Sequence, residues 1–162
     1  MEKSQPLNDP DYDLWALITQ ARRSVLKCRA RELHKYRLTP VESGVLHIIR
    51  ATNGNATPTL IARWLVRKTH SISGLIRRMR KEGLIRVKKD KKDKRSLRIV
   101  MSEKGEVAFK QSLKRESIHE VLSLLSKEER ESLGKSLSKV LDRVIEMLGK
   151  EPIPYLKESY SP

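Results

Sequence analysis

Residues 68 to 101, KTHSISGLIRRMRKEGLIRVKKDKKDKRSLRIVM, change hydrophobic period once, and that change limits what the chain can fold into. Ile72, Leu75, Ile76 and Met79 fall at i, i+3, i+4 and i+7, which places four apolar side chains on one face of a helix. His70, Ser71, Ser73, Arg77, Arg78 and Lys81 occupy the other faces. The pattern predicts a helix that starts at Thr69, with its hydroxyl as N-cap, and stops at Gly83, where glycine suits the left-handed C′ position and Leu84 folds back on Met79. Beyond it the period becomes two. Ile85, Val87 and Lys89, then Leu97, Ile99 and Met101, alternate with Arg86, Lys88, Arg98 and Val100 around a polar run from Asp90 to Ser96, which reads as a β-hairpin with a long charged tip.

A cationic helix followed at once by a cationic hairpin is the plan of a winged helix-turn-helix, in which the helix fits a major groove and the hairpin tip reaches the neighbouring backbone and minor groove. Charge agrees with this placement. Residues 63 to 98 hold fifteen Lys or Arg against Glu82, Asp90 and Asp93, a net of +12 out of +15 for the whole chain. Mixed-sign charge runs are usually solvated faces, but an excess of one sign shared by a helix and the adjoining hairpin marks a nucleic-acid surface.

The rest of the chain supplies the frame. Leu14, Ile18, Ala21, Val25 and Cys28 repeat at steps of four and three, predicting a helix from Asp11 to Tyr36, roughly 39 Å long at ~1.5 Å per residue. Cys28 lies on that apolar stripe and is expected to be a small buried hydrophobe. Thr39, Pro40 and Glu42 form a capping box that opens a second helix, with Val41, Val45, Ile48 and Ile49 inward, ending near Asn53-Gly54. Asn55 to Thr57 suits a short strand beside the hairpin, and Thr57-Pro58 starts a short helix to Leu65. That helix, the three-residue joint Val66-Arg67-Lys68 and the helix at Thr69 have helix-turn-helix spacing, although the joint lacks the glycine often found there. Ser102 opens a further helix running to Leu125, and Ser126 to Glu129 is a second capping box. From there Leu133, Leu137, Val140, Leu141, Val144 and Leu148 form an apolar seam ended by Gly149, Pro152 and Pro154. Such a seam on a terminal helix calls for another helix surface. With Leu14 and Ile18 of the long first helix it predicts a dimerisation layer, the alternative being packing on the chain's own core.

The expected fold class is mainly α with a small β-hairpin wing (α+β). The expected divisions are an N-terminal arm and dimerisation helix (1–37), a winged helix-turn-helix lobe (38–101), C-terminal dimerisation helices (102–149) and an irregular tail (150–162). The polar start MEKSQPLNDPDYD has no secretory pattern and no run approaches ~18 apolar residues, so a cytoplasmic protein without a membrane span is expected. One cysteine excludes an internal disulfide framework, no Cys/His cluster has zinc-ligand spacing, and no cofactor is expected. His34, His47, His70 and His119 are scattered and no Gly-rich phosphate loop is present, which argues against an enzyme.

The order of these motifs resembles the MarR (multiple antibiotic resistance regulator) family of transcription factors. The similar stretches are Leu38-Thr39-Pro40 with Val45-Leu46, the run Met79-Arg80-Lys81-Glu82-Gly83-Leu84-Ile85, the segment Asp90 to Ser96, and Met101-Ser102-Glu103-Lys104-Gly105, which looks like the family's Leu-Thr-x-x-Gly. The resemblance covers about residues 11 to 149. It implies a homodimer with interlocked terminal helices and two winged helices astride a pseudo-palindrome in double-stranded DNA. It further implies that Arg95 enters the minor groove with Asp93 holding its guanidinium, and that an effector binds between the DNA-binding lobe and the dimer helices, where Trp15, Tyr36, His47 and Trp64 are candidates. Gly74 departs from the family, many of whose members carry a larger polar residue there, and the reactive cysteine of peroxide-sensing members is absent near the start of the first helix.

The expected function is that of a dimeric, sequence-specific transcriptional regulator, a ligand-responsive repressor. Thr69, His70, Ser71, Ser73, Gly74 and Arg77 would meet base edges, and Arg78, Lys91, Lys92 and Lys94 phosphates. The alternative is a nonspecific basic nucleoid or RNA-binding protein. RNA binding ordinarily uses stacking aromatics, and only 4% of the chain is aromatic.

Overall fold

Five of the seven helix starts among the described residues follow from an N-cap side chain that satisfies first-turn amides. The computed structural model describes residues 9–90 and 96–150, in the order α1 (Pro10–His34), α2 (Pro40–Ala51), α3 (Pro58–Trp64), α4 (Thr69–Lys81), β1 (Ile85–Lys89), β2 (Leu97–Met101), α5 (Glu103–Ser112), α6 (Glu116–Leu122) and α7 (Lys127–Met147). Thr39 and Ser126 close full capping boxes with Glu42 and Glu129, and Thr57 and Ser102 cap α3 and α5. The cap expected at Thr69 is not formed. Lys68 is the N-cap of α4, its carbonyl accepting from the Ser71 and Ile72 amides, and no side chain caps this end.

At the other end of α4 the expected stop is present. Gly83 has φ +76, its amide donates to the Arg80 carbonyl, and Leu84 N–H donates to the Met79 carbonyl at 2.9 Å, the paired bonds of a Schellman end. The α3–α4 joint uses the same geometry without glycine. Val66 takes φ +51, with Val66 N–H on the Arg63 carbonyl and Arg67 N–H on the Ala62 carbonyl.

β1 and β2 pair antiparallel from Ile85↔Met101 to Lys89↔Leu97, and Ala56 adds a one-residue bridge to Ile99, whose N–H donates to the Ala56 carbonyl at 2.8 Å. Three successive carbonyls after α4 then fasten it to the start of α5: Lys104 Nζ donates to Glu82 O, Ser102 Oγ to Gly83 O, and Ser102 N–H to Leu84 O. The glycine of the Met101 to Gly105 motif has its reason here, because a Cβ on Gly105 would sit 2.0 Å from the Leu84 carbonyl oxygen.

One core cluster unites the lobe, with Val45, Ile48, Ile61, Ile72, Met79 and Ile99 fully buried. Leu33 from α1 and Phe109 from α5 join it. The single helix expected from Ser102 to Leu125 is two helices. The chain turns at Arg115, φ +53, although no Gly, Pro or Asn marks the place. The cause lies on α1. Arg29 Nη2 donates to the Ser112 carbonyl at 2.6 Å, while the Glu32 carboxylate accepts from the amides of Glu116 and Ser117 at 3.0 and 3.1 Å and from the Ser117 hydroxyl. One ion pair, Arg29 to Glu32 at 2.7 Å, thus ends α5 and begins α6. Cys28 also differs from expectation: it is exposed, because the first nineteen residues of α1 bury nothing in the chain's own core. Among the described residues no helix is long and apolar enough to cross a membrane.

Candidate nucleic-acid interface

Helix α4 is two-sided. Ile72, Leu75, Ile76 and Met79 are buried, and Thr69, His70, Ser71, Ser73, Gly74, Arg77 and Arg78 are all exposed. Packing of the apolar side into the lobe core fixes the direction of the polar side, so these residues project from one rigid element. Ser73 turns its hydroxyl back to the Thr69 carbonyl at 3.2 Å. An added Cβ at Gly74 would meet no atom within 4 Å. Among the described residues Arg77 forms no ion pair; Arg78 does, donating through Nε and Nη2 to Glu42 Oε1 at 3.1 and 3.0 Å. Glu42 is buried at the start of α2, so part of the donor capacity assigned to phosphate is directed inward.

The exposed cationic surface is wider than α4. Arg67 and Lys68 stand exposed at its N-terminal end, and Arg86, Lys88 and Lys89 along β1. The signals for these residues in the sequence are the place of Arg67 and Lys68 in the joint before α4, the alternation of Arg86 and Lys88 with Ile85 and Val87, and the position of Lys89 next to the charged tip. Arg98, the cross-strand partner of Lys88, is held within the chain, pairing with Asp90 and donating to the Asn55 carbonyl at 2.9 Å, which ties the hairpin to the bridge residue's neighbour. Lys91, Lys92, Asp93, Lys94 and Arg95 lie outside the described residues.

The four effector candidates are not gathered into one site. Trp15 is 58% exposed on α1 with Tyr12 5.4 Å away. His47 on α2 meets Phe109 edge-on at 5.0 Å, and burial, followed by the charges of Arg115 and Arg29, lowers its pKa and favours the neutral ring. Trp64 packs against the lobe core. Tyr36 borders a cleft of about 480 Å³ with Arg37, Leu84, Lys104 and Val107, which none of the other three touches. Among the described residues no group of three or more His, Cys, Asp or Glu is placed to hold a metal ion.

The seam on α7 is not used by the chain itself. Leu133, Leu137, Val144 and Leu148 are 43 to 53% exposed, Leu14 on α1 is 55% exposed, Ile18 and Leu141 are half-buried, and Ile145 is the buried residue of α7. Among the described residues most of the seam is therefore left unpacked by the chain's own core.

Comparison with known proteins agrees with this geometry. Residues 38–105 match a family described as a winged helix DNA-binding domain. No curated protein sequence is matched. Among solved structures, the organohalide-sensing RdhR transcriptional regulator in its 2,4-dichlorophenol-bound form is 29% identical, with 91% of this chain and 90% of that chain covered and a TM-score of 0.80. Mutant MarR from E. coli complexed with operator DNA is 20% identical over 85% of this chain and 99% of that one, TM-score 0.77. AbsC, a MarR family transcriptional regulator from Streptomyces coelicolor, is 20% identical over 87% and 98%, TM-score 0.78. The chain carries a winged helix DNA-binding domain within the fold of the MarR-family transcriptional regulators.

Proposed function

We propose that the chain is a homodimeric, sequence-specific transcriptional regulator that reads a pseudo-palindromic operator. The observation that carries this reading is the exposed polar face of α4, held rigidly by four buried apolar residues on its other side. Thr69, His70, Ser71, Ser73, Gly74 and Arg77 meet base edges in the major groove. Arg67, Lys68, Arg86 and Lys88 join Lys91, Lys92 and Lys94 as phosphate contacts, with Arg78 divided between phosphate and Glu42. The first-turn amides of α4, which no side chain caps, suit a phosphate oxygen. From the family resemblance, Arg95 reaches the minor groove, positioned by Asp93.

The uncovered seam of α7 and the apolar face of α1 support association of two copies through Leu14, Ile18, Leu133, Leu137, Leu141, Val144 and Leu148. A small-molecule effector that releases the protein as a repressor is supported by the likeness to the dichlorophenol-bound regulator. Tyr36 and His47, at the lobe's border with α5, are its nearest candidates, followed by Trp64 and Trp15. Selection of duplexes from a random pool by the purified protein tests the reading. Enrichment of an inverted repeat with half-sites ~10 bp apart is expected; a pool without a shared motif would refute it.

A further inference from the structure

Most glycines in this chain have a visible internal reason. Gly54, Gly83 and Gly149 have positive φ, a Cβ on Gly105 would strike a carbonyl oxygen, and one on Gly44 would come within 3.2 Å of Leu65. Gly74 has neither reason: its backbone is ordinary helix, and the space beside it is open. Mid-helix glycine is costly relative to alanine, through backbone entropy and exposed peptide groups. The fold thus carries a destabilising residue in its recognition helix for which the inside of the protein supplies no use.

Position on the helix indicates where that use lies. Gly74 is four residues after His70, three before Arg77 and seven before Lys81, in the middle of the face opposite Ile72 and Met79. This is the line along which a groove would first meet the helix. Every flanking position carries a side chain, so the missing Cβ makes a notch in a cationic, hydrogen-bonding surface. We propose that Gly74 is a specificity-determining residue: the notch lets the α4 backbone come into van der Waals contact with the edges of the central base pairs of each half-site, bringing His70 and Arg77 within reach of the bases on either side. The inference rests on the regulator reading above and deepens it. Base choice around position 74 follows from shape, and any larger residue there holds the helix off the groove floor.

Fold and recognition then place opposite demands on the residue, and the substitution Gly74→Ala separates them. The full-length protein and its Gly74→Ala variant are compared in thermal unfolding and in binding two probes, a duplex selected by the wild type from a random pool and a random-sequence duplex of equal length. The variant should melt roughly 2–4 °C higher. It should bind the selected duplex about tenfold more weakly and the random duplex within about twofold of wild type. Unchanged affinity for the selected duplex, an equal loss on both duplexes, or a lower melting temperature would each overturn the proposal. A wild type that does not prefer its selected duplex would overturn the regulator reading as well, and that result is read without the variant.

Discussion

Arg78 and Glu42, thirty-six residues apart, are joined by two hydrogen bonds from one guanidinium to one carboxylate oxygen, across the junction of α4 and α2. Glu42 simultaneously accepts from the Thr39 amide through its other oxygen, at 2.9 Å. Helix α4 is therefore latched to the start of α2 by a carboxylate that has little access to water.

Arg78→Ala should strip that carboxylate of its cation and destabilise the lobe by about 1–2 kcal/mol, the exposure of the guanidinium limiting the loss. Arg77→Ala, at a residue with no ion pair among the described residues, should leave the melting temperature nearly unchanged and weaken binding to a selected duplex. Thermal unfolding of the two variants beside their duplex affinities distinguishes a latch from a contact.

Glu32 makes stability depend on acid. Burial alone would raise its pKa, but the hydrogen bonds from the Ser117 hydroxyl, Arg29 and the Ser117 amide, with the charge of Arg29, outweigh it and lower the value from 4.5 to about 2. A depressed folded-state pKa contributes stability that is fully present above about pH 4.5 and is lost as pH falls through the folded value near 2, on the order of 3 kcal/mol in all. Glu32→Gln should lower stability at pH 7 and flatten the decline between pH 5 and 2. Parallel wild-type and variant denaturation curves across that range would contradict the assignment.

Local signals in the sequence carried the lobe and failed at the α5–α6 turn. The face of α4, its stop at Gly83, the two strands of the hairpin and the capping boxes at Thr39 and Ser126 depend on residues a few positions apart, so periodicity and capping chemistry reveal them. The turn at Arg115 is set by Arg29 and Glu32, more than eighty residues away, and no local pattern encodes it. Likewise Arg78 reads as one more surface cation until α2 is placed beside it. Cys28 sits on a regular apolar stripe, but periodicity does not say whether the chain itself covers the stripe, and here it does not. Within the candidate interface, the α4 face could be read from the sequence, whereas the division of Arg77 from Arg78 could not.

Gly105→Ala should cost more than about 2 kcal/mol, since the added methyl meets backbone that is itself hydrogen-bonded to Ser102 and cannot move aside. A variant with wild-type thermal stability would show that α5 can shift away from Leu84.

Leu137→Asp combined with Leu141→Asp places two charges in the α7 seam and should yield monomer or aggregate in sedimentation at micromolar concentration, where the wild type should sediment as a dimer. A monomeric wild type would contradict association through this face.

If base sequence, and not charge alone, directs binding, a salt titration of wild type on selected and random duplexes will separate the two contributions. With ~6–10 phosphates neutralised per dimer, log K should fall against log salt with a slope of roughly −5 to −9 on both duplexes. The selected duplex should stay at least about a thousandfold tighter across the titration. Two superimposable lines would contradict this and make the protein a nonspecific, charge-driven DNA binder.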